Sequence, residues 1–148
     1  MTVIAKAELS YTAGIVDGEG CITIGKVKRQ KMKRGCYFYL DVRVVNTNEW
    51  LLQWLRFSYG GTIYKQTGKR NANWKDSWVW IIGDRHALAF LELILPYLKI
   101  KRPQAELAMQ FQKARRRGCK KSDEEHAVEE ARAVLMHKYN RRGKLEVT

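Results

Sequence analysis

The sequence predicts an α+β fold in which a helix, two strands, a second helix and two more strands precede a run of helices. Three patterns carry that reading. Residues 7–18 keep a helical period, stretches 22–30 and 37–46 switch to alternation of apolar with polar side chains, and the last third spaces leucines at helical intervals between capping residues.

In the first helix Leu9, Ala13 and Val16 form an apolar stripe, while Ser10, Gly14 and Gly18 form a second stripe of small residues at i, i+4 spacing. Glycine inside a helix costs about 1 kcal/mol relative to alanine, so a smooth face needs a reason. Close approach of another backbone supplies one, and that backbone can belong to a second subunit.

The segment 37–46 alternates cleanly, with Phe38, Leu40, Val42 and Val44 on one face and Tyr37, Tyr39, Asp41 and Arg43 on the other. It forms a hairpin with 22–30, and the basic connection 31–35 suits a loop that reaches along phosphates. A short helix over 49–58 turns Leu51, Trp54 and Leu55 inward and ends at Gly60 and Gly61. Residues 62–66 and 77–82 make a second strand pair around a polar, basic loop, 67–76.

Asp84 can cap a helix carrying Leu88, Leu91, Leu95 and Leu98 that stops near Pro96. Pro103 suits the first turn of the next, which buries Leu107, Phe111 and Ala114. Ser122 with Glu125 makes a capping box for a last helix bearing Val128, Ala131 and Leu135. No repeat interrupts this order, so residues 1–148 are read as one domain with a loose tail over about 141–148.

Charge points to the partner. Lys and Arg number 28 against 15 Asp and Glu, a formal charge of +13, which suits a protein that sits on nucleic acid. The bland alternative is a solvated basic surface, but the charge is segregated. Lys26, Lys28, Arg29, Lys31, Lys33 and Arg34 form one basic cluster, Lys113, Arg115, Arg116, Arg117, Lys120 and Lys121 another, and five acids gather over 123–130. Cys21, Cys36 and Cys119 are an odd set without CxxC spacing, which argues against a disulfide framework or a zinc site and for a reducing compartment. No apolar run reaches the length of a membrane span. The expected location is therefore intracellular, in the cytoplasm of a prokaryote or in an organelle, with no membrane partner.

The segment Thr12–Gly20, TAGIVDGEG, resembles the motif of the LAGLIDADG homing endonucleases, and the element order matches that family's αββαββα core over about the first two-thirds of the chain. Ala13, Gly14, Asp17 and Gly20 agree with the motif, and Ile15 and Val16 replace similar apolar residues. Gly18 and Glu19 stand where Ala and Asp are usual, and Thr12 replaces Leu.

An acid beside a helix end is by itself usually just solvated. The resemblance instead makes Glu19 the metal-binding, catalytic carboxylate, with the Gly18 carbonyl as a second ligand to Mg²⁺, in a site that other divalent ions such as Mn²⁺ or Ca²⁺ can occupy. Asp17 is then a structural residue of the helix end.

A second resemblance covers 95–107, LPYLKIKRPQAEL, where Lys101 falls on the family's active-site lysine and would act electrostatically. Lys99 and Arg102 are phosphate contacts or solvated. Asn46 matches a polar position that orients water, and no basic residue matches the position that often follows it.

The resemblance implies a saddle-shaped antiparallel sheet whose outer face enters the major groove of double-stranded DNA. Alternation then names Thr23, Val27 and Arg29 from the first strand, Tyr37, Tyr39, Asp41 and Arg43 from the second, and Tyr64 and Gln66 from the third. On the fourth, Trp78 and Trp80 face DNA with Val79 and Ile81 inward, or the register slips by one and the indoles cover the core. Lys31, Lys33, Arg34, Lys69 and Arg70 lie in loops that touch phosphate. Residues 115–121 add backbone contacts or form a solvated helix end.

One motif per chain supplies half an active site. The implied function is a homodimeric, site-specific endonuclease that makes metal-dependent double-strand breaks with short 3′ overhangs in a long pseudo-palindromic target, from a gene carried by an intron or other mobile element. Ser10, Gly14 and Gly18 would form the dimer interface. The rivals are an RNA maturase assisting intron splicing, with intron RNA as partner, and a non-catalytic DNA-binding regulator, against which Glu19 and Lys101 argue.

Overall fold

Helix α1 (Lys6–Glu19) passes into strand β1 (Gly20–Lys28) without a connecting residue. The turn is so tight that a Cβ on Gly20 would lie 2.8 Å from the Val16 Cα and carbonyl oxygen, so only glycine fits there. The remaining elements are β2 (Cys36–Asn46), α2 (Glu49–Tyr59), β3 (Thr62–Gln66), β4 (Ser77–Gly83), α3 (Asp84–Ile94), a 3₁₀ turn (Leu95–Tyr97), α4 (Arg102–Lys113) and α5 (Asp123–Tyr139). This computed structural model describes residues 4–66, 76–116 and 120–141. Lys69 and Arg70, most of the 67–76 loop and the tail beyond Arg141 lie outside the described residues.

The four strands form one antiparallel sheet in the order β1-β2-β4-β3. One face carries Ile22, Ile24, Phe38, Leu40, Val42, Val44, Trp80 and Ile82, which join Ala13 and Val16 of α1, Leu52 and Leu55 of α2, Phe90, Leu91 and Ile94 of α3, and Ala105, Ala108 and Phe111 of α4 in a single core. The other face carries the partners of the opposite alternation, and among the described residues the hydrophobic core lies on the first face alone.

Strand β4 is in the slipped register. Trp80 pairs across from Val44 and Ile63 and is fully buried, its indole N–H donating to the Gly60 carbonyl at 2.8 Å, and Trp78 packs partly against the same core. Neither tryptophan reaches the outer face as a base reader. Val79 and Ile81 lie there instead, opposite Tyr64 and Thr62. An indole buries too much apolar area to be left in solvent when either register satisfies the ladder.

The helices after the sheet are turned differently from the leucine pattern. Helix α3 buries Ala87, Phe90, Leu91 and Ile94, leaving Leu88 and Leu95 at the edge. Asp84 is the first residue of α3, with Gly83 as its cap, and its carboxylate accepts from the Leu40 N–H. In α4 Leu107 and Phe111 are buried as expected, but Ala114 is exposed. The Ser122–Glu125 capping box is present on α5, yet that helix buries Glu129 and Met136 and exposes Val128 and Leu135. Charge explains the rotation: Glu129 turns inward to meet Arg115 and Lys121.

Candidate active site and nucleic-acid interface

Tight passage from α1 to β1 puts Glu19 at the exposed C-terminal end of the helix, beside the end of β2. There the Asn46 amide donates to Glu19 Oε2 at 2.6 Å, and Asn46 Oδ1 accepts from the Asn48 N–H at 2.8 Å. The backbone N–H can only donate, so it fixes which end of the amide faces the carboxylate. Asn48 in turn caps α2 through its side chain.

Asp17 faces the other way. Its carboxylate accepts from three successive backbone N–H groups, Lys99 at 2.8 Å, Ile100 at 3.2 Å and Lys101 at 2.9 Å. It is occupied as a staple between the end of α1 and the turn before α4, as expected of a structural acid. Lys101 is 5% exposed, and its ammonium donates to the carbonyls of Val16 and Asp17, each at 2.9 Å. The last turn of α1 has no basic residue of its own, so this lysine supplies the positive charge that a helix C-terminus favours. Lys101 and Gly18 line one hollow with Cys21 and Asn140, while Gly18 and Glu19 line a second with Tyr11, Gly14, Ile15, Asn46 and Leu51. The structure thus brings Glu19 and Asn46 into contact and sets Lys101 beneath the same helix end.

Gly14 and Gly18 are exposed, and nothing lies within 4 Å of where a Cβ would stand on either. Ser10 is exposed on the same helix, its hydroxyl donating to the Lys6 carbonyl. Thr12 lies on the buried side, its hydroxyl donating to the Glu8 carbonyl and sharing a 2.7 Å hydrogen bond with the Tyr59 hydroxyl. Burial raises the Tyr59 pKa. That tyrosine is the local reason a polar residue stands at Thr12.

On the outer sheet face, Thr23, Val27, Tyr37, Tyr39, Asp41, Arg43, Tyr64 and Gln66 share the side away from the core. Tyr39 lies across Gly25, where a Cβ would come within 2.2 Å of its ring. Asp41 is only 3% exposed; its carboxylate accepts from the Thr23 hydroxyl and from Arg43. It supports its neighbours and offers no accessible edge. The pairing with Asp41, foremost its hydrogen bond, raises the Arg43 pKa. Arg29, just past β1, is exposed and stacks toward Tyr37.

Of the loop cations, Lys31 and Lys33 are exposed, but Arg34 is not a phosphate-facing group. It donates to the Lys121 carbonyl and to Asp123, tying the hairpin loop to the start of α5. Three cations of the second basic cluster are likewise engaged: Arg115 meets Asp84 and Glu129, Arg116 meets Glu125, and Lys121 meets Glu129. Glu125 and Glu129 thus fold back onto these cations, and part of the charge segregated along the chain is mixed in space. Missed by sequence reasoning were Val45, Ser77, Ile81 and Thr62 on the outer face; only the pairing register identifies them.

Among the described residues no three His, Cys, Asp or Glu side chains converge on one point. Cys21 and Cys36 are free, and no described helix is long and apolar enough to cross a membrane.

No protein-family model and no curated protein sequence matches the chain. Among solved structures it is similar to the homing endonuclease I-CvuI in complex with its target in the presence of 2 mM Ca, with a TM-score of 0.78, 24% identity, and 96% of this chain and 87% of that one covered. It is similar to the archaeal intron-encoded homing endonuclease I-Vdi141I complexed with DNA, with a TM-score of 0.78 and 14% identity over 96% and 89% of the two chains. It also resembles the LAGLIDADG homing endonuclease I-SmaMI bound to cleaved DNA, at a TM-score of 0.71 and 14% identity, covering 95% of this chain but 48% of that one. The fold is that of the LAGLIDADG homing endonucleases. The segment Thr12–Gly20 that resembles the family's motif spans the end of α1 and the start of β1.

Proposed function

We propose that the chain is a homodimeric, divalent-metal-dependent endonuclease that cuts a long, pseudo-palindromic DNA site on both strands. The observation that carries this is the placement of Glu19: an exposed carboxylate, oriented by Asn46, at the end of a helix whose neighbouring face is bare at Gly14 and Gly18. The similar structures bound to DNA support the substrate class.

The donor set fits half of a metal site. Glu19 and the Gly18 carbonyl are hard oxygen donors at the negative end of a helix, suited to Mg²⁺, Mn²⁺ or Ca²⁺, but two donors fall short of the six or more oxygens such ions take. A second copy packed along the glycine face would bring another Glu19, and DNA phosphates and water would complete the shell. Tyr11, 59% accessible, lines the same hollow as Gly14 and Gly18 and favours burial of that face in a dimer. I-SmaMI, about twice this length, is consistent with two such units meeting.

When bound, the metal would polarise the scissile phosphate and lower the pKa of attacking water. The chain's own parts do the rest. Asn46 holds the Glu19 carboxylate in one rotamer, Lys101 fixes the end of α1 and places positive charge beneath it, and the outer sheet face docks the duplex through Thr23, Val27, Arg29, Tyr37, Tyr39, Arg43, Tyr64 and Gln66. Lys31 and Lys33 add phosphate contacts, and Lys69 and Arg70 belong to the same set by sequence. Residues 1–148 are read as one domain.

The test is incubation with a library of duplexes, with Mg²⁺ or with chelator. Metal-dependent double-strand breaks at a near-palindromic sequence are expected. Tight duplex binding without cutting would favour a regulator, and preference for structured intron RNA a maturase.

A further inference from the structure

Arg43 has five N–H donors in a planar fork. Its Nε donates to Asp41 Oδ1 at 3.3 Å and its Nη2 to Asp41 Oδ2 at 3.1 Å, so one side of the guanidinium is spent on a carboxylate two residues back on the same face. Asp41 is itself held from across the strand pair by the Thr23 hydroxyl at 2.8 Å. The Asp41 side chain is 4% exposed, whereas that of Arg43 is 41% exposed. The arrangement leaves the end-on Nη1–Nη2 edge pointing away from its buttress.

That edge carries two parallel donors and no acceptor. In the major groove, guanine alone presents two adjacent acceptors, O6 and N7, to such a fork. A flexible arginine can slide to phosphate, but one clamped by a buried carboxylate forgoes that freedom and gains direction. The cross-strand neighbours of Arg43 are uncharged: it lies opposite Cys21 on β1 and Ile81 on β4, and Val45 is the next outward residue on its own strand.

We infer that Thr23, Asp41 and Arg43 form a guanine-reading unit, in which Arg43 contacts the base and Asp41 and Thr23 position it. The target should hold a fixed G·C pair at one symmetric position of each half-site. Arg43 precedes Asn46 by three residues, about 10 Å along a strand, so that pair lies roughly three nucleotides from the phosphate served by Glu19. The inference rests on the proposed function only through duplex binding and does not need cleavage.

The experiment is selection of duplexes bound by the full chain from a randomised library, without added metal, followed by the same selection with Arg43→Gln, Thr23→Val and Asp41→Asn. The wild-type protein should enrich guanine at one symmetric position about tenfold or more over other bases. Arg43→Gln should transfer that preference to adenine, whose N6 and N7 suit an amide. Asp41→Asn should keep binding but flatten the preference at that position alone, and Thr23→Val should flatten the guanine preference there as well. A specific motif without such a guanine, or with one that Arg43→Gln leaves unchanged, overturns the inference while DNA recognition stands. Enrichment of no sequence at all overturns both.

Discussion

The carboxylate of Glu19 and the amide of Asn46 are joined by a 2.6 Å hydrogen bond that spans 27 residues of chain and links the end of α1 to the end of β2. A motif acid and a strand-end amide thus act as one unit. Glu19→Gln should retain duplex affinity and lose metal-dependent cutting, measured by gel shift beside a cleavage assay; cutting that persists with Mg²⁺ would remove Glu19 from the site. Asn46→Leu should slow cleavage about 10- to 100-fold, the range expected when a residue that orients a metal ligand is lost.

Lys101→Met should also slow cleavage, with little change in DNA affinity. Loss of the ammonium leaves the Val16 and Asp17 carbonyls without that donor, so unfolding should become easier by about 1–3 kcal/mol in urea titration. If weaker binding to every sequence were the main result, Lys101 would be a phosphate contact instead.

Gly14→Leu meets open space within one subunit, so it should leave the fold intact. It should nevertheless separate the subunits, seen as a halved mass by sedimentation. An unchanged dimer mass would place the interface elsewhere.

Trp80→Ala should destabilise the protein by about 3–5 kcal/mol, the usual cost of emptying a buried aromatic site. Ile81→Thr, one residue along and on the opposite face, should cost much less and act on target preference. Equal costs by denaturant titration would contradict the β4 register.

Acid should loosen the start of α5. The hydrogen bond from Arg116, followed by that from the Ser122 backbone, holds the Glu125 pKa at about 2, below the ordinary 4.5. A lowered carboxylate pKa favours the folded state above the unfolded value, and this contribution fades as pH falls from 4.5 toward 2. Far-ultraviolet circular dichroism should report less helix over that window, and Glu125→Gln should reduce the change. A Glu125→Gln protein with an identical acid profile would assign the transition to other groups.

Alternation and capping made much of the fold legible. The β1–β2 hairpin, the Ser122–Glu125 box and Pro103 in the first turn of α4 follow from local chemistry, and Glu19 followed from a motif. Strand β4 did not, because Trp78 to Ile82 is apolar at every position and has no period of two. Helix α3 was misaligned by counting leucines while Ala87 and Phe90 did the packing. On α5 the inward residue is Glu129, whose burial depends on Arg115 and Lys121, partners that only tertiary structure identifies. The same long-range pairing withdrew Arg34 from the expected DNA contacts.

Asp17, bonded to three consecutive amides, joins the end of α1 to the segment that delivers Lys101. Loss of its carboxylate would shift Glu19 and Lys101 at once, so an alanine survey scored on turnover alone would group it with Glu19 as a proposed ion ligand. Melting temperature separates the two: an emptied latch lowers it, whereas removal of an exposed acid from the centre of the proposed dimer need not.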